Sequence, residues 1–350
     1  MGRNPYLVEP VKTIVPSRKT VSELLEAMAE TAFQGRALGE AYRIIKKMIR
    51  EPKNTIFLGL AGSLSTAGMW RLVKWLVENR YIDVLVSTGA NVSEDILEAM
   101  GYKYYKGSPL VSDEDLLKHK IDRFYDTYAS ELEYREMESL IKDFIESLHG
   151  DACYSTPEFL YLFGEYLDDH GINSIISAAY RAGVPVFSPA LMDSGYGIAG
   201  IAASLEGKSV CLDMMRDFRQ IVEIGRRSDN ISAIYIGGGV PKDYVNLVAV
   251  AQTIMKLYEE GEDYYKPLKY VVQITTDAPQ WGGLSGATLE EAVSWGKAMP
   301  GHNKRTVYCD ATIALPLIVH GLIDEGIKRE HHPDLKWVFK EGSCNESRER

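Results

Sequence analysis

One pattern recurs along this chain and restricts its fold more than any other. A short, continuously apolar run ends in a turn of small residues, and a helical pattern follows. TIFLGLAG (55–62) does this first, and IDVLVSTGAN (82–91) repeats it. VPVFSPA (184–190), KSVCLD (208–213), SAIYIGGG (232–239), YVVQITT (270–276) and TVYCDA (306–311) are further runs of the same kind. A strand that is apolar on both of its alternating faces must be covered on both sides. Such strands alternating with helices predict an α/β fold: a doubly wound, mostly parallel sheet with helices on both faces.

The flanking regions read differently. Residues 1–20 carry Pro5, Pro10 and Pro16 and read as extended. Helical spacing begins near Ser22, which can cap the first helix with Glu23 in its opening turn. Residues 102–150 are rich in Lys, Asp, Glu and Tyr and read as an insertion: a loop, then a helix over about 131–148. Residues 21–330 are expected to form one catalytic domain. Residues 331–350 read as a charged tail, its last eight or so positions disordered.

Composition narrows the function. The net charge of -10 disfavours a nucleic-acid surface and suits a cationic substrate. No apolar run reaches the length of a membrane span, and MGRNPYLVEP has no signal-like apolar core. The four cysteines (Cys153, Cys211, Cys309, Cys344) are widely separated with no CxxC. A disulfide framework or zinc site is therefore not expected, and a reducing cytoplasm is the simplest setting. None of the seven histidines has metal-ligand spacing, so no metal is expected.

In a doubly wound sheet, ligands bind beyond the carboxyl ends of the strands. Those ends are Ala61-Gly62-Ser63, Ser87-Thr88-Gly89-Ala90, Met192-Asp193-Ser194-Gly195, Gly237-Gly238-Gly239, Thr275-Thr276-Asp277 and Asp310-Ala311-Thr312. Small residues admit close backbone approach, and helix N-termini suit phosphates. Turns favour Gly, Ser and Asp in any protein, but six such turns together point to a nucleotide or dinucleotide. The GxGxxG fingerprint is absent.

The stretch GGLSGATLEEAVSWGK (282–297) concentrates reactive groups between two strands. Glu291 and Trp295, four apart, share a helical face and can hold an ammonium through charge and cation–π attraction. On local grounds Lys297 reads as a lysine in the last helical turn, favourable to the helix dipole. Its functional alternative is an amine nucleophile that forms an imine.

EAVSWGK (291–297) resembles the signature of the deoxyhypusine synthase family. TAFQGRALGEA (31–41), GLAGSLSTAG (59–68), VSTGANVSED (86–95), VFSPALMDSGYG (186–197), IYIGGGVPK (234–242) and VYCDATIALPL (307–317) are similar to successive family segments, in order. The resemblance implies a Rossmann-like NAD-binding fold without GxGxxG, assembled as a homotetramer with NAD sites at a dimer interface. It implies that NAD takes hydride from spermidine and that Lys297 holds the 4-aminobutyl group as an imine. The group then passes to an acceptor amine. Carried over by position, NAD contacts fall on Ser63, Leu64, Thr66, Thr88, Gly89, Ala90, Asp193, Gly238, Thr276, Asp310 and Ala311. Glu94 and Asp95 match an acidic pair near cofactor and amine, while Glu291 and Trp295 match substrate-pocket residues.

Three positions depart from the family pattern. Asp243 stands where a histidine assists proton transfer, and can serve as a replacement carboxylate or base. Leu284 and Ile198 stand where aspartates grip the amine. WGGLSGA resembles the deoxyhypusine-synthase-like bacterial branch, which includes homospermidine synthases. The resemblance thus implies putrescine as acceptor, with the lysine of the hypusine-containing translation factor as the alternative. A catalytically silent NAD-binding relative is a third reading, which the presence of Lys297, Glu291 and Trp295 opposes.

Overall fold

A computed structural model describes residues 7–148, 152–261 and 264–339. Its centre is a six-stranded sheet: β1 (Asn54–Leu60), β2 (Val84–Ser87), β3 (Val186–Phe187), β4 (Asn230–Ile236), β5 (Tyr270–Thr275) and β6 (Lys304–Tyr308). The spatial order is β3-β2-β1-β4-β5-β6, and every neighbouring pair is parallel. This is the doubly wound order, with its reversal between β1 and β4.

Alternation along each strand feeds two cores. Ile56, Leu58, Leu60, Ile234, Ile236, Val272 and Ile274 join one apolar cluster. Phe57, Val84, Val86, Ile231, Ala233, Tyr235 and Val271 join the other. The first face is covered by helices that include Phe33–Arg50, Trp70–Glu78 and Ala311–Glu325. The second is covered by Met214–Arg227, Gly239–Glu260 and Leu289–Ser294. Gly59 sits where a Cβ would meet Tyr235 Cδ1 at 2.8 Å, so the carboxyl end of β1 passes directly under that ring. Tyr235 is buried and donates its hydroxyl to Asn246 Oδ1 at 2.7 Å.

Four expectations are corrected. Thr20, rather than Ser22, caps the first helix, in a reciprocal capping box with Glu23. The 208–213 run does not enter the main sheet. Cys211–Leu212 pairs with Cys153–Tyr154 in a separate parallel ribbon. That ribbon sets Cys153 opposite Cys211, Cα atoms 4.5 Å apart, and the two form a disulfide. A separation of 58 residues conceals this pairing in the sequence, because only the long-range ribbon creates it. The early insertion, expected as a loop, holds a three-stranded antiparallel sheet of Tyr105–Lys106, Thr127–Ser130 and Ile121–Phe124. Its helix, Glu131–Ser147, buries Met137, Ile141, Phe144 and Ile145 in the first core.

Residues 7–20 have no helix or strand and are exposed. At the other end Leu335 and Val338 are buried in the second core. The disorder expected for the last eight positions falls outside the described residues. No described helix is long and apolar enough to cross a membrane.

The ribbon makes a prediction. In protein prepared without reductant, iodoacetamide should leave Cys153 and Cys211 unmodified until the bond is reduced. Peptide mapping that finds both alkylated before reduction would remove the disulfide.

Candidate active site

The strand reversal opens a cavity of ≈ 480 Å³ at the carboxyl edge of the sheet. Gly62 and Leu64 line it from the turn after β1, and Gly237 and Gly238 from the turn after β4. Thr276 and Asp277 follow β5, and Asp310, Ala311 and Thr312 follow β6. Five residues expected to contact a cofactor (Leu64, Gly238, Thr276, Asp310 and Ala311) therefore meet in one cavity.

Ser63, Thr66, Thr88 and Glu94 form an adjoining network instead. Buried Asn91, which the sequence reading missed, ties the first two turns together. Its Nδ2 donates to Gly62 O at 2.9 Å and Thr88 Oγ1 at 2.8 Å, and its Oδ1 accepts from Leu64 N at 2.8 Å. Ser63 Oγ lies 3.0 Å from Thr66 Oγ1 and donates a short bond to Glu94 Oε2. Gly89 and Ala90 lead into the helix Asn91–Ala99. A Cβ on Gly89 would meet Leu191 O at 2.7 Å, so this turn packs on the one carrying Asp193, which is itself exposed.

Can these residues accept a dinucleotide? The helix Gly239–Glu260 begins with Gly238 as N-cap and has no side-chain cap, leaving its N-terminus to the cavity. Uncapped helix N–H groups beside glycines suit a pyrophosphate. Asp277 and Asp310 offer carboxylates of the kind that bind ribose hydroxyls. The residues present fit the group.

The acidic pair is buried. Desolvation raises the Glu94 carboxyl from 4.5 to about 7, partly countered by Ser63. Asp95, fully enclosed, is likewise raised by burial to about 7. Its Oδ2 accepts from Ile175 N at 2.5 Å, at the start of the helix Ile175–Ala182. Tyr104 and Tyr134 connect the insertion to this pair. The Tyr104 hydroxyl donates to Glu94 O at 2.9 Å and lies 3.1 Å from the Tyr134 hydroxyl.

Lys297 is outside the last helical turn where its spacing suggested it. The helix Leu289–Ser294 ends at Trp295, and Gly296 adopts φ 70°. Gly296 N bonds to Val293 O at 3.0 Å, and Lys297 N to Ala292 O at 2.9 Å. These two bonds form a Schellman motif, which needs the left-handed residue that glycine supplies. Leu268 N then donates to Lys297 O at 3.0 Å. With its backbone held on both sides, Lys297 directs Nζ to Asp243 Oδ1 at 2.6 Å. The same Nζ lies 5.4 Å from the Trp295 ring centre. Trp295 is 65% exposed and Glu291 is exposed, so both are open to a ligand.

Lys297 does not line the cavity itself. It is joined to it by Asp243, in the first turns of the helix that starts at the Gly238 cap. Buried Lys242 also went unnoticed in the sequence, where it reads as an ordinary helix lysine. Its Nζ donates to Gln273 Oε1, Leu284 O and Ala287 O. Among the described residues no group of three or more His, Cys, Asp or Glu is placed to hold a metal ion.

A doubly wound sheet with a crevice at its strand reversal and a lysine–aspartate pair beside it defines the class of α/β proteins that place their ligand sites at the carboxyl edge of the sheet. Comparison with known proteins narrows that class. The family model "DS: Deoxyhypusine synthase" matches residues 23–322. "Probable deoxyhypusine synthase 2" of Methanosarcina mazei is 41% identical over 98% of both chains. Its namesake from Archaeoglobus fulgidus is 45% identical over 87% of this chain and 98% of its own. "Deoxyhypusine synthase-like protein" of Chlorobaculum tepidum is 38% identical over 91% of this chain and 90% of its own. A crystal structure of a candidate deoxyhypusine synthase from Entamoeba histolytica shares the fold. Its TM-score is 0.60 at 18% identity, covering 88% of this chain and 94% of that one. The chain belongs to the deoxyhypusine synthase family, which supports a transferase.

The buried acid pair sets a pH dependence. The folded-state pKa of Glu94 lies above the unfolded value, so between pH 4.5 and about 7 the folded state binds more protons. Stability therefore falls as pH rises through that window. Glu94→Gln should raise the thermal midpoint above wild type at pH 8, with a ceiling of about 3 kcal/mol, and lose most of that advantage at pH 5. An equal gain at both pH values would mean that Glu94 does not titrate in this window.

Proposed function

We propose that this protein is an NAD-dependent 4-aminobutyl transferase in which Lys297 carries the group being moved. The observation that bears this reading is the fixed amine. Lys297 Nζ is 2.6 Å from Asp243 Oδ1, its backbone is pinned by the Schellman motif, and an open indole stands beside it. NAD, when bound, supplies a hydride acceptor and later returns the hydride.

Removing hydride from the carbon next to the secondary nitrogen of spermidine leaves an imine there. The Lys297 amine adds to that carbon, and the C–N bond to 1,3-diaminopropane breaks. Asp243 accepts the Lys297 proton as the amine adds, and can return it to the departing amine. The acceptor amine then replaces Lys297 at the same carbon, and reduction of the resulting imine completes the transfer. Splitting one difficult displacement into two exchanges is the gain of covalent catalysis.

Substrate ammonium groups need carboxylates. Asp243, Glu291 and Asp277 each favour the charged form of the Lys242 amine and Lys297 opposes it, so three carboxylates stand in this neighbourhood. Leu284, 41% exposed, and Ile198, 51% exposed, supply none. This altered set supports a small diamine acceptor, putrescine, giving homospermidine. The names carried by the archaeal relatives favour a second reading, in which the acceptor is a lysine of the translation factor. The exposed stripe of Ile198, Ile201 and Leu205 on the helix Gly195–Leu205 supports contact between copies of the chain, which the homotetramer reading requires. Light scattering that returns a monomer mass would remove that part.

Purified protein given NAD and spermidine should, on borohydride treatment, retain an aminobutyl adduct on the Lys297 peptide. Added putrescine should yield homospermidine by mass spectrometry, whereas modification of the factor alone would select the second reading. Lys297→Ala should lower transfer by about a thousandfold or more with NAD still bound. Unchanged turnover would dismiss Lys297, and no adduct in the wild type would dismiss the transferase.

A further inference from the structure

Lys242 is only 1% exposed, and its acceptors are all neutral. A buried ammonium without a carboxylate partner is costly, so its presence calls for a reason. Burial pushes the amine down to about 8, while nearby Asp243 and Glu291 act in the opposite direction.

Its hydrogen bonds supply that reason. Nζ donates to Leu284 O at 3.3 Å and to Ala287 O at 2.5 Å, both in the turn before the helix Leu289–Ser294. Its third acceptor is Gln273 Oε1 at 3.0 Å, from the buried centre of β5. Gln273 in turn donates to Ser285 O at 2.8 Å and to Gly237 O at 3.0 Å. Two side chains thus occupy the carbonyls of Leu284, Ser285 and Ala287. The turn also lies flat on the glycines after β4, where a Cβ on Gly238 would meet Ser285 Cα at 2.5 Å.

From that turn the chain runs without slack. Thr288 caps the helix Leu289–Ser294, the Schellman motif closes it, and Lys297 follows. Asp243, the residue after Lys242, receives Lys297 Nζ. Consecutive residues of one helix therefore hold the two ends of segment 284–297.

We propose that Lys242, through Gln273 and the 284–287 carbonyls, is a positioning residue that sets where the Lys297 amine stands relative to Asp243. This rests on the reading of Lys297 as the reacting amine. Lys242 does not touch substrate in this role. It fixes the start of the segment whose end carries the nucleophile.

The test uses Lys242→Met and Gln273→Leu in the full chain, with amide hydrogen exchange and steady-state kinetics measured on each. Exchange across 285–297 should quicken by about tenfold or more while β1 amides keep their rates. The kcat for aminobutyl transfer should fall by about tenfold or more, with the KM for spermidine within about threefold. The double variant should lose little more than the worse single variant, because the two side chains act as a unit. Unchanged exchange at 285–297 in both variants, or full kcat in Lys242→Met, overturns the proposal. Should Lys242→Met not fold, Gln273→Leu carries the same two measurements. If wild-type protein forms no adduct, the transferase reading fails, while the exchange measurement still decides whether the brace exists.

Discussion

The pairing of β1 with β4 is the contact on which the ligand-facing edge depends. Its register runs unbroken from Asn54 opposite Asn230 to Leu60 opposite Ile236. From this seam the sheet grows one way through β2 and β3 and the other way through β5 and β6. The helices after β1 and β4 consequently leave in opposite senses, and a crevice opens between their turns. Gly237 lies so near Ala61 that a Cβ on it would meet Ala61 Cβ at 3.1 Å. At the other end of the seam, buried Ser232 donates to Asn54 Oδ1 and Asn54 donates to Met48 O. A one-residue slip would break those bonds and exchange the two apolar faces, so register is held by both polarity and packing.

Burial treats the ionisable groups along this edge in opposite ways that converge. It lifts the Glu94 and Asp95 acids and lowers the Lys242 base, so all three stand near neutrality. The Lys297–Asp243 pair, less enclosed, is in ion-pair contact. That pair stands beside the open Trp295 ring. The deeper polar groups act mainly by holding backbone: Asn91 between two turns, Asp95 at a helix start, Lys242 under a third turn.

The sheet was legible because apolar runs such as TIFLGL are buried on both faces, a pattern that few other elements produce. The small-residue turns were legible for a related reason, since each follows such a run. What stayed hidden depended on distant partners. Lys242 has the sequence signature of a solvated helix lysine, and only the folded 284–287 turn makes it a buried donor. Cys153 and Cys211 meet through a two-residue ribbon with almost no local signal. Of the insertion strands, IDRF is broken by two charges and TYAS is short and mostly polar, so neither apolar run nor clean alternation marks them. Lys297 reads as a last-turn lysine yet lies two residues beyond the C-cap Trp295, because the same Gly-Lys pair serves a last turn or a Schellman ending.

Gly59 gives the seam a further property, which concerns how this sequence can drift. Its hydrogen faces the Tyr235 ring, and the carbonyl of Pro241 lies 3.3 Å from where a Cβ would stand. Any larger residue must push Tyr235 aside, and with it the bond to Asn246 on the Gly239–Glu260 helix. That helix carries Lys242 and Asp243. One missing methyl near the end of a strand therefore ties three positions into a single heritable unit. A change at 59 becomes tolerable only when position 235 shrinks with it and the helix is held by other means.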